Sequence, residues 1–207
     1  MKTALSNNPI AVLILSSLLL LSNEASAKSN QPNTTPHLKR IIMKQTHQIK
    51  FEQMHNLGIY AFDASDVELF YGKFYLDVYV REEEDDPRDL APSKRPEDEE
   101  RIRRVTIGGL PVFRGPVTLK WHDLHDNPIE YRFRFEDLFP DKVVPYDKAL
   151  EDKIYWDKPI SIDPGIVIEI INRQLNIYAV LDFYVYKPGT TKLGIKTSFV
   201  KVFSKEF

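Results

Sequence analysis

The 207-residue chain contains no cysteine. That excludes disulfide staples, thiolate metal sites, thiol nucleophiles, c-type haem attachment and an acylated lipobox cysteine. The fold must therefore be held by burial alone. Residues 28–207 are numerous enough, because a domain of about 150 residues already buries roughly two thirds of its extended-chain surface. Catalytic signatures are also missing: there is no G-x-S-x-G, no H-E-x-x-H and no phosphate-cradling glycine loop. The net charge is only −2, so no global field draws the chain to nucleic acid or to an anionic membrane. No apolar run reaches the roughly 20 residues of a membrane span. These absences point to a binding protein rather than an enzyme, without cofactor or metal and with no nucleic acid as partner.

What is present begins with an export signal. Lys2 precedes an apolar stretch over residues 10–21, broken only by Ser16 and Ser17, and the stretch is followed by Ala25-Ser26-Ala27. This is the three-part pattern of a secretory signal peptide, residues 1–27, cleaved before Lys28. The expected location is the periplasm or the medium, with no stable membrane insertion after cleavage. Residues 28–40 are polar and proline-bearing and read as a flexible leader.

From residue 41 the apolar residues mostly alternate, which is the period of half-buried strands. Over residues 70–81, Phe70, Gly72, Phe74, Leu76, Val78 and Val80 share one face and Tyr71, Tyr75 and Tyr79 the other, so one long strand is expected. Val117, Leu119 and Trp121 alternate, as do Ile129, Tyr131, Phe133 and Phe135. Between them His125-Asp126-Asn127-Pro128 supplies turn formers, which makes this the clearest hairpin. The apolar run 166–171, the turn Asn172-Arg173-Gln174 and the run 175–186 make another. Lys187-Pro188-Gly189-Thr190 then turns into a strand from Leu193. Gly108-Gly109 reads as a bulge or tight turn. Residues 147–156 carry helical spacing, and residues 38–54 fit a strand better than a helix. The expected fold is mainly β: an antiparallel sandwich or meander spanning residues 41–207, with one or two short helices and a long charged loop.

That loop covers residues 81–104. Its first 20 residues hold ten acidic side chains against four basic ones and three prolines, so it reads as solvated. Two roles compete for it. It can shield an edge strand from pairing, or it can steer a basic protein partner. In the second case the binding residues are Tyr75 and Tyr79 on the approaching strand and Glu82, Glu83, Glu84, Asp85 and Asp86 beyond it.

One segment concentrates metal-ligating types: His122, Asp123, His125 and Asp126. Two imidazoles and a carboxylate can share a divalent ion, but the spacing matches no established ligand set, and such residues are common where a strand enters a turn. Arg132 and Arg134 are offset by Glu130 and Glu136, the ordinary pattern of a solvated strand face.

The run Pro116-Val117-Thr118-Leu119-Lys120-Trp121, a polar turn, and then Tyr131-Arg132-Phe133-Arg134-Phe135 resembles the core of the exported bacterial DUF2931 family. Residues 166–171 and the strand from Leu175 sit where that family has its next hairpin. The resemblance covers about the C-terminal half. It implies a β-rich exported protein, some relatives of which act as immunity proteins to secreted lipase toxins. This chain lacks the lipobox cysteine that members typically carry. The alternatives are a periplasmic module for a small ligand or glycan, with an aromatic-lined pocket between two sheets, and a hydrolase with dispersed catalytic residues.

Overall fold

The computed structural model describes residues 47–79, 90–157 and 163–207. The chain divides into two units, Met1–Gln45 and Thr46–Phe207, and every described residue lies in the second. The signal peptide, the leader, residues 38–46 and the acidic run Glu82–Asp86 fall outside the described residues.

Among the described residues nine strands form two sheets that pack as a sandwich. The strands are β1 (Met54–Phe62), β2 (Ser65–Tyr71), β3 (Phe74–Tyr79), β4 (Ile107–Pro111), β5 (Val117–His122), β6 (Pro128–Phe133), β7 (Gly165–Ile171), β8 (Gln174–Tyr186) and β9 (Leu193–Glu206). One sheet has the order β4-β1-β7-β8-β9 and the other β3-β2-β5-β6. The β5–β6 and β7–β8–β9 hairpins follow the alternation in the sequence. All pairs are antiparallel except β1 with β7, which are parallel. The expected mainly β sandwich is the observed fold, and the parallel β1–β7 pair makes its five-stranded sheet mixed while the four-stranded one is antiparallel.

The expected long strand over residues 70–81 is a hairpin. Gly72 takes a left-handed φ of 60° at the first central position of a two-residue turn, where hairpin twist favours glycine. A side chain there would press to 2.7 Å from the Arg114 carbonyl. Because the turn pairs Tyr71 with Phe74, it reverses the parity of the pattern. Tyr71 is consequently buried between the sheets and Phe70 faces outward, while Phe74, Leu76 and Val78 still point toward the core. Phe135, expected in a strand, instead begins a helical turn, Phe135–Leu138, with its ring fully buried. The helix expected over residues 147–156 is a 3-10 turn, Lys148–Lys153, whose start is capped by the Asp147 carboxylate accepting from Ala149 N–H. Of residues 38–54, the described part is extended, with Lys50 bridging to Val143 before β1 begins. Gly108-Gly109 does form a bulge: β4 advances three residues, from Ile107 to Leu110, while β1 advances two, and Gly109 has φ 71°.

The core between the sheets is aromatic at one end. Phe51 packs 5.1 Å from Phe113 and 5.0 Å from Phe139, and Tyr71 lies edge-on to Phe135 at 5.3 Å. These rings pack against one another. His55 is fully buried among them. With Nδ1–H donating to the Asn56 carbonyl, Nε2 is left to accept from the Tyr71 hydroxyl at 3.2 Å.

The five-stranded sheet is covered on its other face as well. Val167, Tyr178 and Val180 form a second buried cluster with Tyr60, Val105 and Phe199. This explains why β7 and much of β8 are buried on both sides instead of alternating. Residues 90–104 lie over this cluster. Ala91 exchanges backbone hydrogen bonds with Asp63 and Ala64, Ile102 is fully buried, and the Tyr60 hydroxyl donates to the Arg104 carbonyl. The expectation of a solvated loop is therefore corrected for this half of the segment, which is a strap holding one helical turn, Asp98–Arg101. Most of its charges face outward, with Asp98 buried and Lys94 turned toward the sheet, while Ala91 and Ile102 anchor it.

Two outcomes follow. Ile102→Ala should cost about 2 kcal/mol in denaturant unfolding, as for a buried aliphatic side chain; a change within about 0.5 kcal/mol would mean the strap contributes no burial. Burial pushes the His55 imidazole below its ordinary value, against the Asn56 carbonyl and the charge of Asp163. Because the folded pKa is depressed, this contribution to stability is complete above about pH 6.5, the unfolded value, and is lost as pH falls from there toward the folded one. Thermal midpoints should fall over that interval for the parent and more gently for His55→Gln.

Candidate functional site

The outward face of the four-stranded sheet carries two rows of side chains set by strand register. Asp77, Glu68, Lys120 and Glu130 align across β3, β2, β5 and β6, and Tyr75, Phe70, Thr118 and Arg132 align beside them. Tyr75 is 47% exposed and lies outside the core. Its ring sits 4.7 Å from that of Phe70, and Lys120 Nζ lies 5.3 Å from the Phe70 centroid. Glu68 and Asp77 are cross-strand neighbours of like charge, an arrangement that costs stability. The Tyr75 hydroxyl lies between them and donates to both, at 3.2 Å to Glu68 and closer to Asp77. The bond to Asp77, with the added charge of Glu68, holds the phenol protonated well above the usual tyrosine range.

β3 is the edge of this sheet and is bulged at Val78, where Val67 and Glu68 oppose Tyr79 and Asp77. Tyr79 ends the strand. Of the partner-binding residues expected from sequence, the structure thus brings Tyr75 to an exposed acidic corner and puts Tyr79 four residues along, at the end of the same strand. Tyr71, expected beside them, is buried instead. Glu82, Glu83, Glu84, Asp85 and Asp86 lie outside the described residues.

The histidine-rich turn has a structural task. Asp123 is fully buried and accepts from His125 N–H, Asn127 N–H, the Asn127 side-chain amide and, at 2.8 Å, Arg173 Nη1. Arg173 Nε in turn donates to the carbonyl of Phe207. The Trp121 indole donates to the Asn172 carbonyl at 2.7 Å. The carboxylate therefore ties the β5–β6 turn to the β7–β8 turn and the last residue. Burial alone would raise its pKa, but the Asn127 and His125 donors with Arg173 outweigh it and hold the group well below the carboxylate range. His122 turns the other way, its Nδ1 3.1 Å from Asp66. Among the described residues no cluster of three or more ligating groups is arranged for a metal ion.

One charged centre gave no signal in the sequence. Glu169, in the middle of β7, is 1% exposed. One oxygen accepts from Tyr178 at 2.9 Å and Asn176 at 3.0 Å. The other lies 2.7 Å from Lys94 Nζ of the strap, close enough for charge attraction but off the axis of a directed hydrogen bond. Burial acts to lower the Lys94 ammonium, and Glu169 with Glu99 reverses that, leaving it raised. A single glutamate in an apolar run, with its lysine 75 positions away, offers no periodicity to detect.

Comparison with protein-family models, with curated proteins and with solved structures returned no match. The function is accordingly argued from geometry and sequence.

Asp123→Asn should lower stability by about 2 kcal/mol, since it removes a charged acceptor from a buried cluster. The depressed carboxyl stabilises the fold fully above about pH 4, its unfolded range, and that stability is lost as pH falls further toward the folded value. Acid titration of the thermal midpoint should show the loss in the parent and less of it in the variant. Excess zinc should leave the parent's midpoint unchanged; a rise would restore the metal reading of this turn.

Proposed function

We propose that this protein is an exported, non-catalytic binding protein that captures a basic protein partner through the outer face of β2 and β3 and the acidic run that follows. The observation that carries the reading is the exposed Tyr75–Phe70 pair set beside the neighbouring carboxylates of Glu68 and Asp77. Tyrosine supplies contact area at low entropic cost, and a ring already packed against its neighbour is ordered before a partner arrives. Uncompensated acid at a sheet edge steers a basic partner and raises its association rate. In the sequence, the run Glu82–Asp86 follows β3 closely and carries five further acidic side chains.

Such a surface needs no reacting group. A body that occludes a toxin's cleft by shape and charge is the role of an immunity protein, and the DUF2931 resemblance and the export signal support that form of the reading. A hydrolase needs an activated nucleophile or a poised acid–base pair, and the strongly held carboxylates described above have structural partners instead.

Co-purification with the product of the adjacent gene at low salt, followed by salt titration, tests the reading. Tyr75→Ala should weaken the complex about tenfold or more, as truncation of a central aromatic does. Replacing both Glu68 and Asp77 by lysine should slow association and flatten its salt dependence while leaving the thermal midpoint near the parent's. Absence of any complex at low salt, or a complex indifferent to these changes, would sink the proposal.

A further inference from the structure

A cleft of about 370 Å³ opens on the outer face of the five-stranded sheet, away from the partner surface. Its floor is Val180, Asp182 and Thr197, and the end of the strap supplies Arg103, Arg104 and Val105. The strap is held close here because Gly165 has no side chain; a Cβ at that position would come within 2.6 Å of Val105.

The cleft has a rim suited to an anion, and an apolar surface continues beyond it along the same sheet face. Arg103 donates through Nε to the Glu99 carbonyl, and its guanidinium lines the cleft 5.4 Å from the Phe199 ring. Arg104 is 72% exposed and only loosely paired, 3.7 Å from Glu100. Against these two cations stands one carboxylate in the lining, Asp182, which already accepts from Thr197 Oγ1 at 2.6 Å. Strand register then continues the same face outward: Tyr184 opposite Ile195, and Tyr186 opposite Leu193. Ile195 is 62% exposed and Tyr186 47%, two of the most exposed large apolar side chains described. Tyr155 meets Tyr186 edge-on at 5.4 Å and extends the surface. Successive pairs on one face lie about 7 Å apart, so a cationic rim and an apolar track fall within the length of one small molecule.

We propose that this cleft binds a small amphiphilic carboxylate, its head paired with Arg103 and Arg104 and its apolar body laid over Tyr184, Ile195 and Tyr186. Its volume lies within the range of small-molecule sites, and bidentate guanidinium–carboxylate pairing supplies orientation. Asp182 lies beneath the path and opposes the head's charge, which limits affinity and gives the site a signature of its own. This site and the partner surface occupy different sheets, so each can fail without the other.

The test is calorimetric titration of the full chain with decanoate, decanol and decyltrimethylammonium, all below micelle formation. These probes share a tail and differ in head charge. Decanoate should bind about tenfold or more tighter than either of the others. Arg103→Ala with Arg104→Ala should erase that preference, and Asp182→Asn should strengthen decanoate binding severalfold, a gain that unfolding cannot imitate. Ile195→Ser should weaken decanoate and decanol alike. If the arginine double variant does not fold, the Asp182 and Ile195 variants decide. Equal binding of all three probes, tightest binding of the cation, no binding of decanoate, or binding only to anionic phosphatidylglycerol vesicles would each overturn the proposal.

Discussion

A carboxylate in the centre of β7 sets the terms for the five-stranded sheet. Burying Glu169 without partners would be prohibitive, and burying it with Lys94, Tyr178 and Asn176 is tolerable. Lys94 belongs to the strap, so the condition that lets β7 stay buried on both faces also holds residues 90–104 against the sheet. The strap then shields Val167, Tyr178 and Val180, and its end builds the rim of the outer cleft. Removing Lys94 would leave the buried Glu169 carboxylate without its cation.

The Asp123 cluster plays the matching part at the other end. It joins a turn of one sheet to a turn of the other and to the final residue. In a chain without disulfides, charge-assisted hydrogen bonds at the turns and aromatic packing between the sheets hold the layers in register. The groups that looked most like chemistry in the sequence are spent on this framework. The surfaces proposed for recognition lie outside this framework: the acidic corner at Tyr75, and the cationic rim at Arg103 and Arg104.

Alternation and turn chemistry by themselves determined the sandwich class, the β5–β6 hairpin, the β7–β8–β9 hairpins and the bulge at Gly108-Gly109, because each depends on neighbours within a few residues of one another. Tyr75 was legible as an outward residue for the same reason. The turn at Gly72 was hidden, since a two-residue hairpin leaves an uninterrupted apolar alternation while reversing its parity. The parallel pairing of β1 with β7, the strap, the Glu169–Lys94 pair and the outer cleft were decided only by tertiary structure. Each joins residues tens of positions apart, and a local pattern cannot state which distant side chain will neutralise a buried charge or cover a second apolar face.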